Sequence, residues 1–382
     1  MKKRLAYLST LDPRNKRIWS GTHYSIYREL QNIGEVVILG PYQPRFRIFL
    51  CRILNQIMLR VFGRRFNYRH SVIISKAYGR YFTKQIQKHK PDLVVAPAAA
   101  AELAFLKGSV PVIYITDGTF AACLNYHEGL KNLLSFNIRE GNRIEHDAMK
   151  RSALVVVPSV WAYNSALKDY GMSPEKLCIL PFGANFELLP DKALSNTEPI
   201  QEWKLLFVGV YWENKGGEIA FNTFKILHDK GYPVSFTVLG CTPPSNFSHP
   251  RMKVIPFIDK NQPSGQDEIS RIYSEHHFLI LPTRFDCSPI VINEASAFSI
   301  PSLVSRTGGV ESHLREGKNG FLVDYHDKGE AYAAIIERYI LDPSAYSVLR
   351  HSTRQTYETV LNWTHWRTSM ASLIESLTKQ TL

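Results

Sequence analysis

The chain has 382 residues, 45% hydrophobic and 21% charged, with no low-complexity tract or repeat; this is a globular composition too long for one hydrophobic core. No run approaches the roughly 18 uncharged apolar residues of a membrane span, the apolar run in MKKRLAYLST is too short for a signal sequence, and Cys51, Cys123, Cys178, Cys241 and Cys287 are not spaced like a zinc site, so a reduced, cytoplasmic protein is expected. Up to Pro190 there are 27 Lys and Arg against 13 Asp and Glu, and the remainder holds 19 against 21, an asymmetry that points to an anionic partner of the first half.

Arg4–Leu8 reads as a strand and 12–20 as a polar loop. Gly21 and Thr22 then begin a helix over 23–31, and Val36–Leu39 is a second strand. A glycine at such a turn lets a ligand approach the backbone closely, and it is equally an ordinary turn residue. Across 42–69, Ile48, Leu50, Ile53, Leu54, Ile57, Met58 and Val61 fall at helical spacing, flanked by Arg45, Arg47, Arg52, Arg60, Arg64 and Arg65. From 42 to 90 there are 12 basic residues and no acidic one. This segment either lies on an anionic membrane surface or forms a core helix with a solvated basic rim. No nucleic-acid motif accompanies the charge, so nucleic acid is not an expected partner.

Leu93–Ala96 and Val110–Ile115 read as buried strands around a small-residue helix near 98–105. Asp117 follows, before Gly118, where an aspartate forms a turn or presents its carboxylate at the end of a strand. A polar helix over 142–152, a strand over 153–158, a helix over 161–169 and a strand over 177–180 complete the first half. Residues 186–202 lack periodicity and read as a linker. In the second half, strands are expected at 204–208, 234–239 and 253–258, with helices from Lys215 through Leu227 and over 268–274.

The most informative stretch is 278–311. An apolar run, Phe278–Leu281, reads as a buried parallel strand. A loop follows, then a helix over 289–297, a strand over 300–304 and the Gly308-Gly309 turn. Asp286 lies in the loop and Glu294 inside the helix, so both carboxylates fall beyond the carboxyl end of a strand, where open parallel sheets bind ligands. Ionised carboxylates only accept hydrogen bonds, which suits hydroxyl-rich groups, and the helix start favours a phosphate. Sugar, ribose and phosphate together describe a nucleotide sugar.

Asp286-x7-Glu294 followed by Ala295, and then Thr307-Gly308-Gly309-Val310-Glu311, resembles the E-x7-E and T-G-G-x-x-E signatures of the family 4 retaining glycosyltransferases. Residues 207–216 match in spacing the F-V-G-R-x-x-x-x-K-G signature, with Val210 in place of its arginine. Residues 181–185 are similar to the family's P-N-G-V-D turn, residues 317–323 to its G-x-x-G-x-L-V turn, and Gly21 to its glycine-rich first loop. The resemblance covers nearly the whole chain. It implies the GT-B fold: two Rossmann-like, doubly wound parallel-sheet α/β domains facing a central cleft. The expected divisions are an acceptor domain over 1–185, the linker, a donor domain over 203–360 and a helix over 361–382 returning to the first domain.

The resemblance further implies transfer of a sugar from a nucleotide sugar to a hydroxyl acceptor with retention, needing neither cofactor nor metal. In the front-face substitution expected of the family, the leaving phosphate helps deprotonate the acceptor. Glu294 would then hold the ribose and Asp286 the sugar hydroxyls. Lys215, Gly209, Ser288, Pro289, Ile290, Val291, Gly308 and Gly309 would surround the diphosphate, with Gly21 near the donor. Ile258 would hold the base through backbone groups, and Arg284 is the candidate to replace the arginine missing at Val210. Asp117, Asp286 and Lys215 are the expected catalytic groups, and Thr22, Asp117 and His127 the acceptor side. The acceptor would be a glycan, a lipid-linked or a small hydroxyl compound, with 42–90 as the candidate contact with the inner membrane surface. The alternatives are another GT-B enzyme such as a sugar-nucleotide epimerase, and a non-catalytic basic protein that binds membranes or polyanions.

Overall fold

The computed structural model describes residues 2–187, 189–190 and 199–379. They form two compact units. The first takes in the chain up to Leu180 together with the segment from Trp366 onward, and the second runs from Pro181 to His365.

In the first unit the chain passes through β1 (Arg4–Tyr7), α1 (Thr22–Ile33), β2 (Glu35–Ile38), α2 (Arg45–Phe62), α3 (Val72–His89) and β3 (Leu93–Pro97). It continues through α4 (Ala100–Leu103), β4 (Val112–Ile115), α5 (Phe120–Cys123), α6 (Ser135–Arg151), β5 (Leu154–Val157), α7 (Val160–Tyr170) and β6 (Leu177–Ile179). The strands make one parallel six-stranded sheet in the order β2-β1-β3-β4-β5-β6. β3, β4 and β5 are apolar runs buried along their length, as a sheet covered on both faces requires. The order reverses between β1 and β3, where such sheets open a crevice for ligands.

Helices α3 and α6 depart from the sequence reading. α3 was not expected: Ser71 caps its first turn by accepting from the Ile74 amide at 3.5 Å. α6 begins at Ser135 rather than near 142, because its polar first turn is held by tertiary bonds, the Asn137 amide oxygen accepting from the Asn67 N–H at 2.6 Å.

The second unit contains β7 (Trp203–Val208), α8 (Gly217–Asp229), β8 (Val234–Leu239), β9 (Met252–Ile255), α9 (Pro263–Glu275), β10 (Phe278–Leu281) and α10 (Ile290–Ala297). β11 (Ser302–Ser305), β12 (Gly320–Val323), α11 (Glu330–Leu341) and α12 (Pro343–Thr359) follow. Its parallel sheet runs β12-β11-β10-β7-β8-β9. The chain starts in the middle at β7, winds outward one way, then returns to build the other side from β10. The carboxyl ends of β7 and β10 therefore lie side by side at the reversal point.

The last helix, α13 (Trp363–Lys379), begins in the second unit, where the Trp363 indole stacks on Phe182 and donates to Asn185 at 3.2 Å. From Trp366 it belongs to the first unit, in which Arg367 donates to Glu29 at 3.1 Å. Of the expected linker, residues 188 and 191–198 lie outside the described residues, as do 380–382 of the expected final helix. Among the described residues no helix is long and apolar enough to cross a membrane.

Candidate functional site

Three loops of the second unit meet because their strands are neighbours. The loop after β7 carries Gly209 and Lys215, the loop after β10 carries Asp286, and the loop after β11 carries Gly308 and Gly309. Gly216, at φ +73°, turns the first of these into α8, and a Cβ there would sit 2.0 Å from the Pro282 carbonyl oxygen. Only glycine permits this approach, which draws the β7 loop onto the end of β10. The loops are then laced together: the Arg284 amide donates to Asn214 O at 2.8 Å, and the Gly309 amide to Asp286 O at 3.0 Å.

This lacing sets Lys215 Nζ 2.5 Å from Asp286 Oδ2. Oδ1 of the same carboxylate accepts from the Ser288 amide at 3.3 Å, which fixes the loop leading into Pro289, Ile290 and Val291 at the start of α10. One N–H of the Lys215 ammonium meets Asp286; two others remain for oxygens of a ligand. Glu294, on α10 and buried, is paired as well. Its Oε1 accepts from Lys260 Nζ at 3.0 Å and its Oε2 from the Tyr273 hydroxyl at 3.1 Å. Burial, and then the negative charge of Glu294, hold the Tyr273 hydroxyl well above the usual phenol range, so it remains a donor. The site is thus two carboxylates, each opposed by one lysine.

Lys260 was not singled out in the sequence. It sits in the loop after β9, two residues beyond Ile258, and that loop is tied to α9 by hydrogen bonds from Gln262 N to Asp259 O and from Gln266 to Lys260 O. His313 was not singled out either. Its Nε2 meets Ser288 Oγ at 2.9 Å and its Nδ1 meets Asn293 Oδ1 at 3.1 Å, while the Asn293 amide donates to Phe182 O at 2.9 Å. Burial pushes the imidazole down to about 4, so at neutral pH it is uncharged and serves as a fixed strut between the Asp286 loop and α10.

Arg284, the candidate to replace the arginine absent at Val210, is engaged by groups at the ends of the strands. Its Nε donates to Pro282 O at 3.0 Å and its Nη2 to Ser305 Oγ at 2.5 Å, Nη1 binds Tyr325 O, and the guanidinium lies 4.1 Å from the centre of the Tyr325 ring. The fork therefore binds strand ends, because a planar group with donors on three nitrogens satisfies several carbonyls at once. Among the described residues, no three His, Cys, Asp or Glu side chains are placed to hold a metal ion.

In the first unit, Asp117 Oδ2 accepts from the Trp19 indole N–H at 2.9 Å. That bond joins the loop after β4 to the loop after β1, and so brings Asp117 to the turn that carries Gly21 and Thr22. The turn is strained: Trp19, Ser20 and Gly21 have φ of 49°, 54° and 92° in succession. Thr22 and His23 are buried behind it, and His23 Nδ1 meets the Tyr7 hydroxyl at 2.7 Å. His127, expected on the acceptor side, caps a short turn through its Nδ1, which accepts from the Gly129 amide at 2.9 Å, so its ring serves the local backbone.

The two six-stranded parallel sheets with flanking helices define the GT-B fold. Solved structures with the same fold include sucrose-phosphate synthase from Thermosynechococcus elongatus, at TM-score 0.69 and 16% identity over 99% of this chain and all of that one. Anabaena Alr3699/HepE in complex with UDP-glucose follows at 0.63 and 14% over 98% and 100%. The chain belongs to the family 4, or group 1, glycosyltransferases: the family model described as Glycosyltransferase Family 4 matches residues 24–188, and that described as Glycosyl transferases group 1 matches 202–342. Among curated proteins, the D-inositol 3-phosphate glycosyltransferase of Corynebacterium diphtheriae is 24% identical over 57% of this chain and 55% of its own length. The chain spans about half the length of the curated relatives it matches.

Proposed function

We propose that this protein transfers a sugar from a nucleotide-sugar donor to a hydroxyl acceptor with retention of anomeric configuration. The observation that carries the reading is the Lys215–Asp286 pair at the reversal point of the second sheet, with Glu294 held on the helix that follows. Support comes also from the relative named for D-inositol 3-phosphate and from the neighbour in complex with UDP-glucose.

In this reading Glu294 accepts from the ribose hydroxyls and Asp286 from the sugar, each carboxylate retaining acceptor capacity beside its lysine. Lys215 and the amides from Ser288 to Val291 and at Gly308 and Gly309 meet the charge that develops on the diphosphate as its bond to the anomeric carbon breaks. The new bond forms on the same face, and the acceptor proton passes to an oxygen of the leaving phosphate. Neutralisation of that phosphate is assigned to Lys215 and the amides, with no metal. The acceptor side is assigned to Asp117 of the first unit, with Thr22 buried behind its turn and so not a contact to the acceptor, and the positive charge of that unit suits an acceptor that carries phosphate or is linked to lipid.

The test is kinetic. With a panel of nucleotide sugars, Lys215→Ala and Glu294→Ala should each lower kcat/KM by more than about 100-fold, since each removes a charged contact to the reacting molecule. The product should keep the donor's anomeric configuration. Near-unchanged rates in both variants, or donor consumption that yields an epimer without an acceptor, would overturn the proposal.

A further inference from the structure

Helix α2 presents two apolar faces. Ile48, Cys51, Leu54 and Met58 turn inward onto the core of the first unit. On the other side Phe46, Phe49, Leu50, Ile53, Ile57 and Val61 recur at helical intervals and are between 43% and 73% exposed. The outer stripe runs the length of an 18-residue helix, about 27 Å. Nothing among the described residues covers it. A contiguous exposed apolar patch of this kind marks an interaction surface.

The chemistry around the stripe selects the partner. Arg45, Arg52 and Arg60 share the helix with it, and Arg64 follows its end. Nowhere from 42 to 90 is there a carboxylate. A second copy docking face to face would bring these guanidinium groups against each other with no acid to oppose them, which is unfavourable. Nucleic acid matches the charge and leaves the aromatic and aliphatic stripe in water. An apolar stripe rimmed by arginine matches a layer that is apolar below and anionic at its surface. We infer that α2 lies in the interface of an anionic lipid bilayer, with Phe46, Phe49, Ile53 and Ile57 below the phosphates and the arginines among them.

The inference is independent of which reaction the second unit performs. Its test is co-sedimentation of the full chain with phosphatidylcholine vesicles, with and without phosphatidylglycerol. The protein should pellet with the anionic vesicles alone, and raised salt should weaken the binding. Phe49→Ser/Ile53→Ser should lower the partition by at least about tenfold, as expected from removing two large apolar side chains from the interface. These side chains are exposed, so the melting temperature should hold. Arg60→Gln/Arg64→Gln leaves the stripe intact and should weaken binding to anionic vesicles. Equal partition of the serine variant and the parent, or no binding to either vesicle, would overturn the inference. So would a dimer in solution that the serine variant abolishes, since the face would then be a contact between copies.

Discussion

A histidine that packing removes from water stays neutral to a lower pH than a solvated one, because burial disfavours the charged imidazolium, and His23, His70, His276, His277 and His313 all move this way. Burial takes His277 to about 3 and the other four to about 4. Their folded values lie below the unfolded value, so the stability they permit is complete above about pH 6.5 and is lost as pH falls toward 4. Two buried carboxyls act with the opposite sign: burial raises Glu102 and Glu145 to about 7, and the chain gains stability from them as pH drops from 7 toward 4.5. The five histidines outnumber them, so urea midpoints should be lower at pH 5 than at pH 7; a flat or rising profile would contradict this assignment. At the same scale, Asp286, Glu294, Lys215 and the Gly308-Gly309 turn were legible because each sits at a set distance from the end of an apolar strand. Lys260 and His313 were not, since each acquires its role from a residue far away in sequence: Glu294, 34 residues from Lys260, and Ser288, 25 from His313. The partners of Arg284 were not legible either, because sequence cannot reveal that Pro282, Ser305 and Tyr325 converge on one guanidinium.

Strands were read well because an all-parallel sheet buries both faces and so leaves continuous apolar runs. Helix α2 shows where the pattern stops informing: Ile48, Leu50, Ile53, Leu54, Ile57, Met58 and Val61 read as one periodic set, and the structure divides them between an inner face and an outer one. Periodicity identifies a helix; only packing says which of two apolar faces is covered. The turn into α8 offers the sharpest test at this scale. Gly216→Ala places a methyl group against the Pro282 carbonyl and demands a left-handed backbone from alanine, which together should cost on the order of 1–3 kcal/mol and displace Lys215. Chemical denaturation and donor titration should both register the change, and parent-like values in both would show that the β7 loop can shift without consequence.

The second unit is one uninterrupted stretch from Pro181 to His365, whereas the first is assembled from two pieces. Its second piece contributes Trp366, Met370 and Ile374, all buried, and the Arg367–Glu29 pair. Removing one large buried side chain costs about 2–5 kcal/mol, and three together rival the total stability of a typical domain, about 5–15 kcal/mol. A chain ended after His365 should therefore show a calorimetric transition for the second unit and a lost or strongly lowered one for the first; two unshifted transitions would refute this. The same arrangement bears on synthesis. β1 leaves the ribosome ahead of the second unit, yet the unit it joins lacks the buried Trp366 until the whole second unit has emerged and α13 follows it. Of the two units, the one whose synthesis starts earlier is completed later, and in the interval its exposed apolar surface is what a chaperone would meet.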